Sequence, residues 1–201
     1  MRGSDVSTRT RLAADERRGQ LLRAAEEQLL LQGYLPLPSE QVAKAVGVSK
    51  ALVYAYFPTQ HDLFNASLEL RLEELRSDRI RTEGLSLEAF ALAKAEQYFE
   101  QVAEIGSVVQ FILRDAFMAR NFSTKARRLR ESIVRPIARR LRGELRMSAN
   151  EAIAAFNLLA TIPEEAGSLV RKGEMKMERG RELYAELTIA ALAGLRKRPR
   201  R

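Results

Sequence analysis

The stretch Gly47-Val48-Ser49 followed by Lys50-Ala51-Leu52-Val53-Tyr54-Ala55-Tyr56-Phe57 limits what this chain can fold into more than any other. Gly47 can take the positive φ that ends a preceding helix. Ser49 can cap a following helix by accepting a backbone N–H two or three residues on. Val53 and Phe57 stand one helical turn apart and, with Val48, point inward. Lys50, Leu52, Tyr54 and Tyr56 are left with more outward directions. A short helix that shows a cation and two phenols suits the surface of a nucleic acid. The segment before Gly47, from Ser39 to Val46, puts Val42, Ala43 and Val46 on one face. Two helices joined by a short glycine turn make a helix-turn-helix.

An ordered set of further blocks surrounds this stretch: Leu21-Leu22-Arg23-Ala24-Ala25, Gly33-Tyr34, Val42-Ala43, Val53-Tyr54-Ala55-Tyr56-Phe57 and Asp62-Leu63. With these blocks and their spacings, residues 17–64 resemble the DNA-binding region of TetR/AcrR-type transcriptional regulators. The motif match covers the N-terminal quarter; total length and helical pattern extend it loosely to the rest. The resemblance implies an all-α fold of about nine helices. An N-terminal three-helix helix-turn-helix domain would precede a C-terminal helical domain for ligand sensing and dimerisation. It also implies a sequence-specific regulator, a repressor released from a palindromic operator by a small molecule. The alternative is a DNA-bound adaptor whose C-terminal domain recruits a protein partner.

Composition narrows the field from another side. The formal net charge is +8, which favours a polyanion partner. No cysteine is present, so neither a disulfide framework nor a thiolate metal site can form, and a reducing cytoplasm fits. The longest uncharged runs, 28–39 and 152–163, are each 12 residues. A bilayer span needs about 20 apolar residues, so no membrane partner is expected. His61 is the only histidine, no glycine-rich phosphate loop occurs, and the carboxylates sit among arginines at helical spacing. An enzyme, a metal site or a cofactor is therefore not expected.

Along the chain, residues 1–12 read as a flexible basic arm and 13–32 as the first helix, with Leu21, Leu22, Ala25 and Leu29 as its buried stripe. Residues 1–60 would be the DNA-binding domain, 61–84 a connecting helix reaching to about residue 81, 85–195 the sensing and dimerisation domain, and 196–201 a disordered basic tail. Thr59 with Asp62 reads as a cap. Ser148 with Glu151 reads as a capping box. Residues 108–119 read as one short apolar helix. Pro136 and Pro163 are expected to kink or split their helices. Arg128, Arg135, Arg139, Arg142 and Arg146 form a stripe that suits either solvent or an anionic partner.

The resemblance assigns site residues. Lys50, Tyr54 and Tyr56 would position the helix on phosphates, and Ala51 and Leu52 would lie nearest base edges, packing on thymine methyls rather than hydrogen bonding. Ser39, Ser49, Thr59 and Gln60 are further DNA-contact candidates, with Gln60 standing where the family usually has a lysine. Tyr98, Phe99, Gln110, Phe111, Asp115, Phe117, Phe156 and Asn157 are candidates to line a ligand cavity. As core residues, the aromatics among them need no ligand. Leu158, Leu159, Tyr184, Leu187 and Ala191 are candidates for a homodimer interface of two helices from each copy. The implied partners are double-stranded DNA, a second copy of the chain and an unidentified small-molecule effector.

Overall fold

The computed structural model describes residues 3–76 and 84–197, with residues 3–13 described by backbone alone. The described residues form nine α-helices and no strand: α1 (Gly3–Gln32), α2 (Ser39–Val46), α3 (Lys50–Tyr56), α4 (Gln60–Arg76), α5 (Leu87–Ile105), α6 (Val108–Arg114), α7 (Thr124–Leu145), α8 (Ala149–Arg171) and α9 (Met177–Arg196). The chain divides into two compact units. One holds Met1–Leu70 and Val108–Thr124; the other holds Arg71–Ser107 and Lys125–Arg201.

In the first unit α1 packs on α2 and α6, and α2 packs on α3. Leu21, Leu22, Ala25 and Leu29 are all buried, as the three- and four-residue spacing of that stripe requires. Each such leucine contributes about 1.5–3 kcal/mol when fully buried. Gly33, at φ 80°, ends α1 and donates its N–H to the Leu29 carbonyl at 2.8 Å. The helix starts at Gly3, so residues 3–12 are helical rather than a flexible arm. Nothing between Ser4 and Arg18 breaks a helix, since that stretch holds neither proline nor glycine.

Segment 108–124 corrects the expected domain boundary, because it belongs to the N-terminal unit. Val108, Val109 and Ile112 on α6 are buried, and Met118 after it is fully buried. The helix also stops at Arg114, five residues earlier than its apolar pattern suggests. There the Asp115 carboxylate accepts the Phe117 N–H at 2.8 Å. That local bond favours a turn over another helical residue. The expected extension of α4 to residue 81 and most of the expected basic tail lie outside the described residues.

In the second unit α5, α8 and α9 pack on one another. One core cluster gathers Leu87, Leu141, Met147, Ala152, Ala155 and Leu192; a second gathers Ala95, Phe99, Ala166 and Tyr184. Ser86 caps α5 by accepting the Ala89 N–H at 3.2 Å. Ser148 and Glu151 form the reciprocal capping box that opens α8. Neither Pro136 in α7 nor Pro163 in α8 splits its helix. Each removes one backbone bond, and packing of the flanking apolar turns outweighs that loss.

Helix approach in this unit is set by two glycines. A Cβ at Gly167 on α8 would lie 2.8 Å from the Phe99 carbonyl oxygen and 2.9 Å from Val102 Cβ on α5. A Cβ at Gly180 on α9 would lie 2.9 Å from Val170 and 3.0 Å from the Phe99 ring. Phe99 is thus enclosed on two sides by backbone that only glycine allows so close.

Candidate nucleic-acid interface

The helix-turn-helix is built as its sequence requires. Gly47 sits at φ 71°, ψ 36°, and the Gly47 and Val48 N–H groups close α2 on the Lys44 and Ala43 carbonyls at 3.2 and 2.9 Å. Ser49 caps α3, its Oγ accepting the Leu52 N–H at 3.2 Å. Val53 and Phe57 are buried and anchor the helix. The Arg18 guanidinium of α1 lies over the Phe57 ring, 5.2 Å from its centroid.

With those anchors fixed, Lys50, Ala51, Tyr54 and Ala55 face solvent, while Leu52 and Tyr56 are half-buried. Tyr54 keeps 41% of its surface exposed, so its ring is not a core ring. The Lys50 ammonium is held by the Glu40 carboxylate of α2 and lies 5.7 Å from the Tyr54 ring centroid. Lys50, through its hydrogen bond, holds the Glu40 carboxyl below its usual range, and Glu40 pushes the Lys50 ammonium up. Lys50 is the only basic residue of α3, so the helix has one cation, and Glu40 of α2 neutralises it.

Three other candidates sit differently from expectation. Ser39 is only 5% exposed, because it opens α2 with its side chain turned inward, and Pro38 at the cap position makes no side-chain bond. The Thr59 hydroxyl donates to Asp62 Oδ2 at 2.8 Å and accepts the Asp62 N–H at 3.1 Å. It caps α4 and has no proton left for a phosphate. Gln60 Oε1 accepts the Leu37 N–H at 2.8 Å. The residue in the lysine position therefore satisfies the backbone donor of buried Leu37 in the α1–α2 connection.

A second set of contacts was not legible in the sequence. His61 of α4 stacks on Phe117, with centroids 4.1 Å apart and planes at 17°, and its Nε2 lies 3.2 Å from the Phe117 carbonyl oxygen. Asp115 Oδ2 accepts the Leu35 N–H at 3.2 Å. Asn65 donates to the Asn121 carbonyl and accepts the Ser123 N–H, both at 2.8 Å. Ser67, fully buried, donates to the buried Glu26 carboxylate at 2.6 Å. Segment 115–123 thus fixes both the α1–α2 connection and the start of α4. Its partners lie more than fifty residues away in the chain, which no local pattern reports.

The cavity candidates divide between the two units. Gln110, Phe111, Asp115 and Phe117 belong to the first unit, while Tyr98, Phe99, Phe156 and Asn157 belong to the second. Asp115 and Phe117 already have the structural bonds just described. Phe99 is fully buried against Gly167, Gly180 and Tyr184, 5.0 Å ring to ring, so it lines no open space. Phe156 packs on the Leu87–Leu141 cluster and Asn157 is exposed.

Of the interface candidates, Leu158 is 71% and Leu187 48% exposed. With Leu159 and Ala191, Leu158 lines an open apolar groove of about 400 Å³ on α8 and α9. Tyr184 is corrected to a core residue. It is 4% exposed and donates its hydroxyl to Glu96 of α5. Burial first, and then the Glu96 carboxylate, push its phenol well up. Burial also pushes Glu96 up, but the bonds from Tyr184 and Arg181 outweigh that and hold Glu96 low. Arg181 reaches Glu96 at 2.8 Å and Glu100 at 3.0 Å.

The family model for bacterial regulatory proteins of the tetR family matches residues 21–67. That span contains α2, α3, both glycine-bounded turns and the His61 start of α4. Residues 21–67 are a TetR-family DNA-binding domain. A curated relative, the HTH-type transcriptional activator FasR of Mycolicibacterium smegmatis, is 40% identical over 67 residues. That alignment covers 33% of this chain and 31% of the relative, so the chain matches under a third of the relative's length. Among solved structures, a TetR-like regulator from Rhodococcus sp. RHA1 superposes with TM-score 0.63 at 20% identity, over 89% of this chain and 96% of that one. The regulator FadR from Bacillus subtilis, in complex with stearoyl-CoA, gives 0.60 at 16% identity, over 89% and 97%. At such identities these two show that the TetR-type fold extends through the second unit. No helix among the described residues is long and apolar enough to cross a membrane.

Proposed function

We propose that this chain is a cytoplasmic, homodimeric repressor that reads a near-palindromic operator and is released from it by a small molecule. One observation carries the reading: α3 is anchored by Val53 and Phe57 and leaves Lys50, Ala51, Tyr54 and Ala55 without a core duty. The TetR-type domain that presents this face supports the assignment.

The chemistry of the face divides the work. Tyr54 and Tyr56 offer hydroxyl donors and Lys50 a charge to phosphate oxygens, which fixes register without reading sequence. Ala51 and Leu52 offer only apolar surface, which selects thymine methyls and duplex shape. Two heads must then be spaced about one duplex turn, roughly 34–36 Å, which calls for a dimer. The exposed Leu158 and Leu187 of α8 and α9 are the apolar surface that a second copy would cover. A small molecule that prefers a conformation with the heads wrongly spaced would oppose DNA with the same coupling energy, typically about 1–3 kcal/mol. Stearoyl-CoA in the FadR structure shows that one protein of this fold takes an acyl thioester.

A second reading is a DNA-bound adaptor. The enclosed Phe99 and the open apolar groove on α8 and α9 favour it, since they offer a protein partner more than they offer an enclosed ligand. The test is titration of wild type, Tyr54→Ala and Leu52→Ala against a panel of duplexes. Tyr54→Ala should weaken all sites alike, and Leu52→Ala should flatten the preference among them. Equal losses for both on every site would overturn the division of labour.

A further inference from the structure

Almost all of the chain's excess charge lies away from the reading head. Residues 1–62, which include α2 and α3, hold eight basic and seven acidic side chains, a net charge of +1. Residues 124–146, which are α7 and the residue after it, hold nine basic and two acidic side chains, a net charge of +7 out of +8. Non-specific affinity for duplex DNA is supplied by phosphate neutralisation and counterion release. A head whose single α3 cation is already paired with Glu40 supplies little of it.

The charges on α7 are arranged as well as numerous. At 100° per residue, Arg128, Arg135, Arg139 and Arg142 fall within an arc of about 60°, and they span about 21 Å of helix. All four are exposed. Arg135 is paired with Glu131 at 2.9 Å. Arg128, Arg139 and Arg142 make no ion pair or hydrogen bond among the described residues. The structural arginine of this helix is a different one: Arg140 donates to the Leu85 carbonyl at 2.6 Å, pairs with Glu144 at 3.0 Å and covers the Phe90 ring at 4.8 Å. Arg146 lies past the helix end at φ 53°, off the stripe.

We propose that this arginine stripe is a second, sequence-independent docking surface for the phosphate backbone of duplex DNA. It rests on the reading that the chain binds DNA at all. A length of about 21 Å matches about six base-pair steps, and guanidinium forks suit phosphate oxygens. An anionic bilayer fits less well. Interfacial helices wedge large apolar side chains among the headgroups. None of the exposed large apolar residues lies on α7. Its apolar residues Ile137, Ala138, Leu141 and Leu145 pack into the Leu87 core cluster.

The test uses the full chain and the triple variant Arg128→Gln/Arg139→Gln/Arg142→Gln. Binding to a random-sequence duplex is measured across a range of salt. The slope of log affinity against log salt should fall by about two to three, and affinity near physiological salt by about 10- to 100-fold. The matching triple lysine variant should keep the wild-type slope. An unchanged slope in the glutamine variant would overturn the stripe and leave the head's role intact. A loss shared equally by the lysine variant would overturn it too, by showing that charge is not the cause. If wild type binds no duplex, specific or random, the functional reading itself fails and the stripe proposal with it. Phosphatidylglycerol vesicles are the parallel arm. Vesicle binding lost in the glutamine variant, with duplex binding untouched, would overturn DNA as the partner.

Discussion

Glu40 on α2 holds the ammonium of Lys50 on α3, and the same ammonium lies 5.7 Å from the centre of the Tyr54 ring. The one cation of α3 is thus already paired in the free protein, and on the proposed reading DNA must compete for it. On binding, either a phosphate displaces Glu40 or Lys50 is shared between the two, and Glu40 repels the phosphate in both cases. Glu40→Gln should therefore raise affinity for all duplexes by about two- to five-fold and steepen the salt dependence. Fluorescence anisotropy at two salt concentrations checks this. Equal or weaker binding by the variant would show that the pair helps, by fixing Lys50 in its bound position.

Gln60 fills the family's lysine position and bonds the Leu37 amide instead. Leu37 is 1% exposed, so that amide has no water to turn to. Gln60→Ala should cost about 1–3 kcal/mol, the penalty for an unsatisfied buried donor. In thermal unfolding each kcal/mol should lower Tm by about 2–4 °C. An unchanged Tm would mean that the Leu37 amide finds another partner.

The two close glycines make an ordered pair of predictions. Gly167→Ala drives a methyl against the Phe99 backbone oxygen, which cannot step aside, while Gly180→Ala meets only the Val170 and Phe99 side chains. Overpacking of this kind costs about 1–3 kcal/mol. Chemical denaturation should find Gly167→Ala the more damaging. The reverse order would contradict the account of how α5, α8 and α9 approach.

Tyr184 carries a pH dependence. Its folded phenol is pushed above the unfolded value of about 10 by burial and by Glu96. A group with a raised folded value contributes stability that is complete below the unfolded value and is lost as pH rises through the folded one. Wild type should therefore lose stability above about pH 10 more steeply than Tyr184→Phe. Spectrophotometric titration should show a phenol that ionises above its ordinary range in wild type and is missing from Tyr184→Phe. Loss in the variant of a phenol that ionises in the ordinary range would refute the burial argument.

Leu158 tests the association of two copies. At 71% exposure it is the most exposed large apolar residue on α8. Leu158→Glu should leave the Tm of the chain's own core nearly unchanged and shift sedimentation from dimer to monomer. A dimer that survives the substitution would place the interface elsewhere.

The parts of this fold that the sequence made plain are the parts governed by local chemistry. α2 ends at Gly47 and α3 begins at Ser49, because caps and positive-φ turns act within four residues. The Ser148–Glu151 box is legible for the same reason. What was hidden depends on partners far along the chain. Tyr184 reads as an interface residue until Glu96 and Phe99 are seen beside it. Segment 108–124 reads as part of the C-terminal domain until His61, Asn65 and Leu35 are found holding it. Ser39 and Thr59 have the hydroxyls that phosphate contacts use, but one is buried and the other caps α4. Periodicity tells which face of a helix is apolar; it does not tell which element covers that face.

The central claim is that α3 reads DNA in a symmetric pair. The most direct measurement is selection of preferred duplexes from a random pool by the purified full chain. The account predicts a near-palindromic site with half-sites about one duplex turn apart, rich in A·T steps where Ala51 and Leu52 would meet thymine methyls, and lost on Tyr54→Ala. Recovery of sequences with no common site, or of a site that Tyr54→Ala binds as well as wild type, would contradict it.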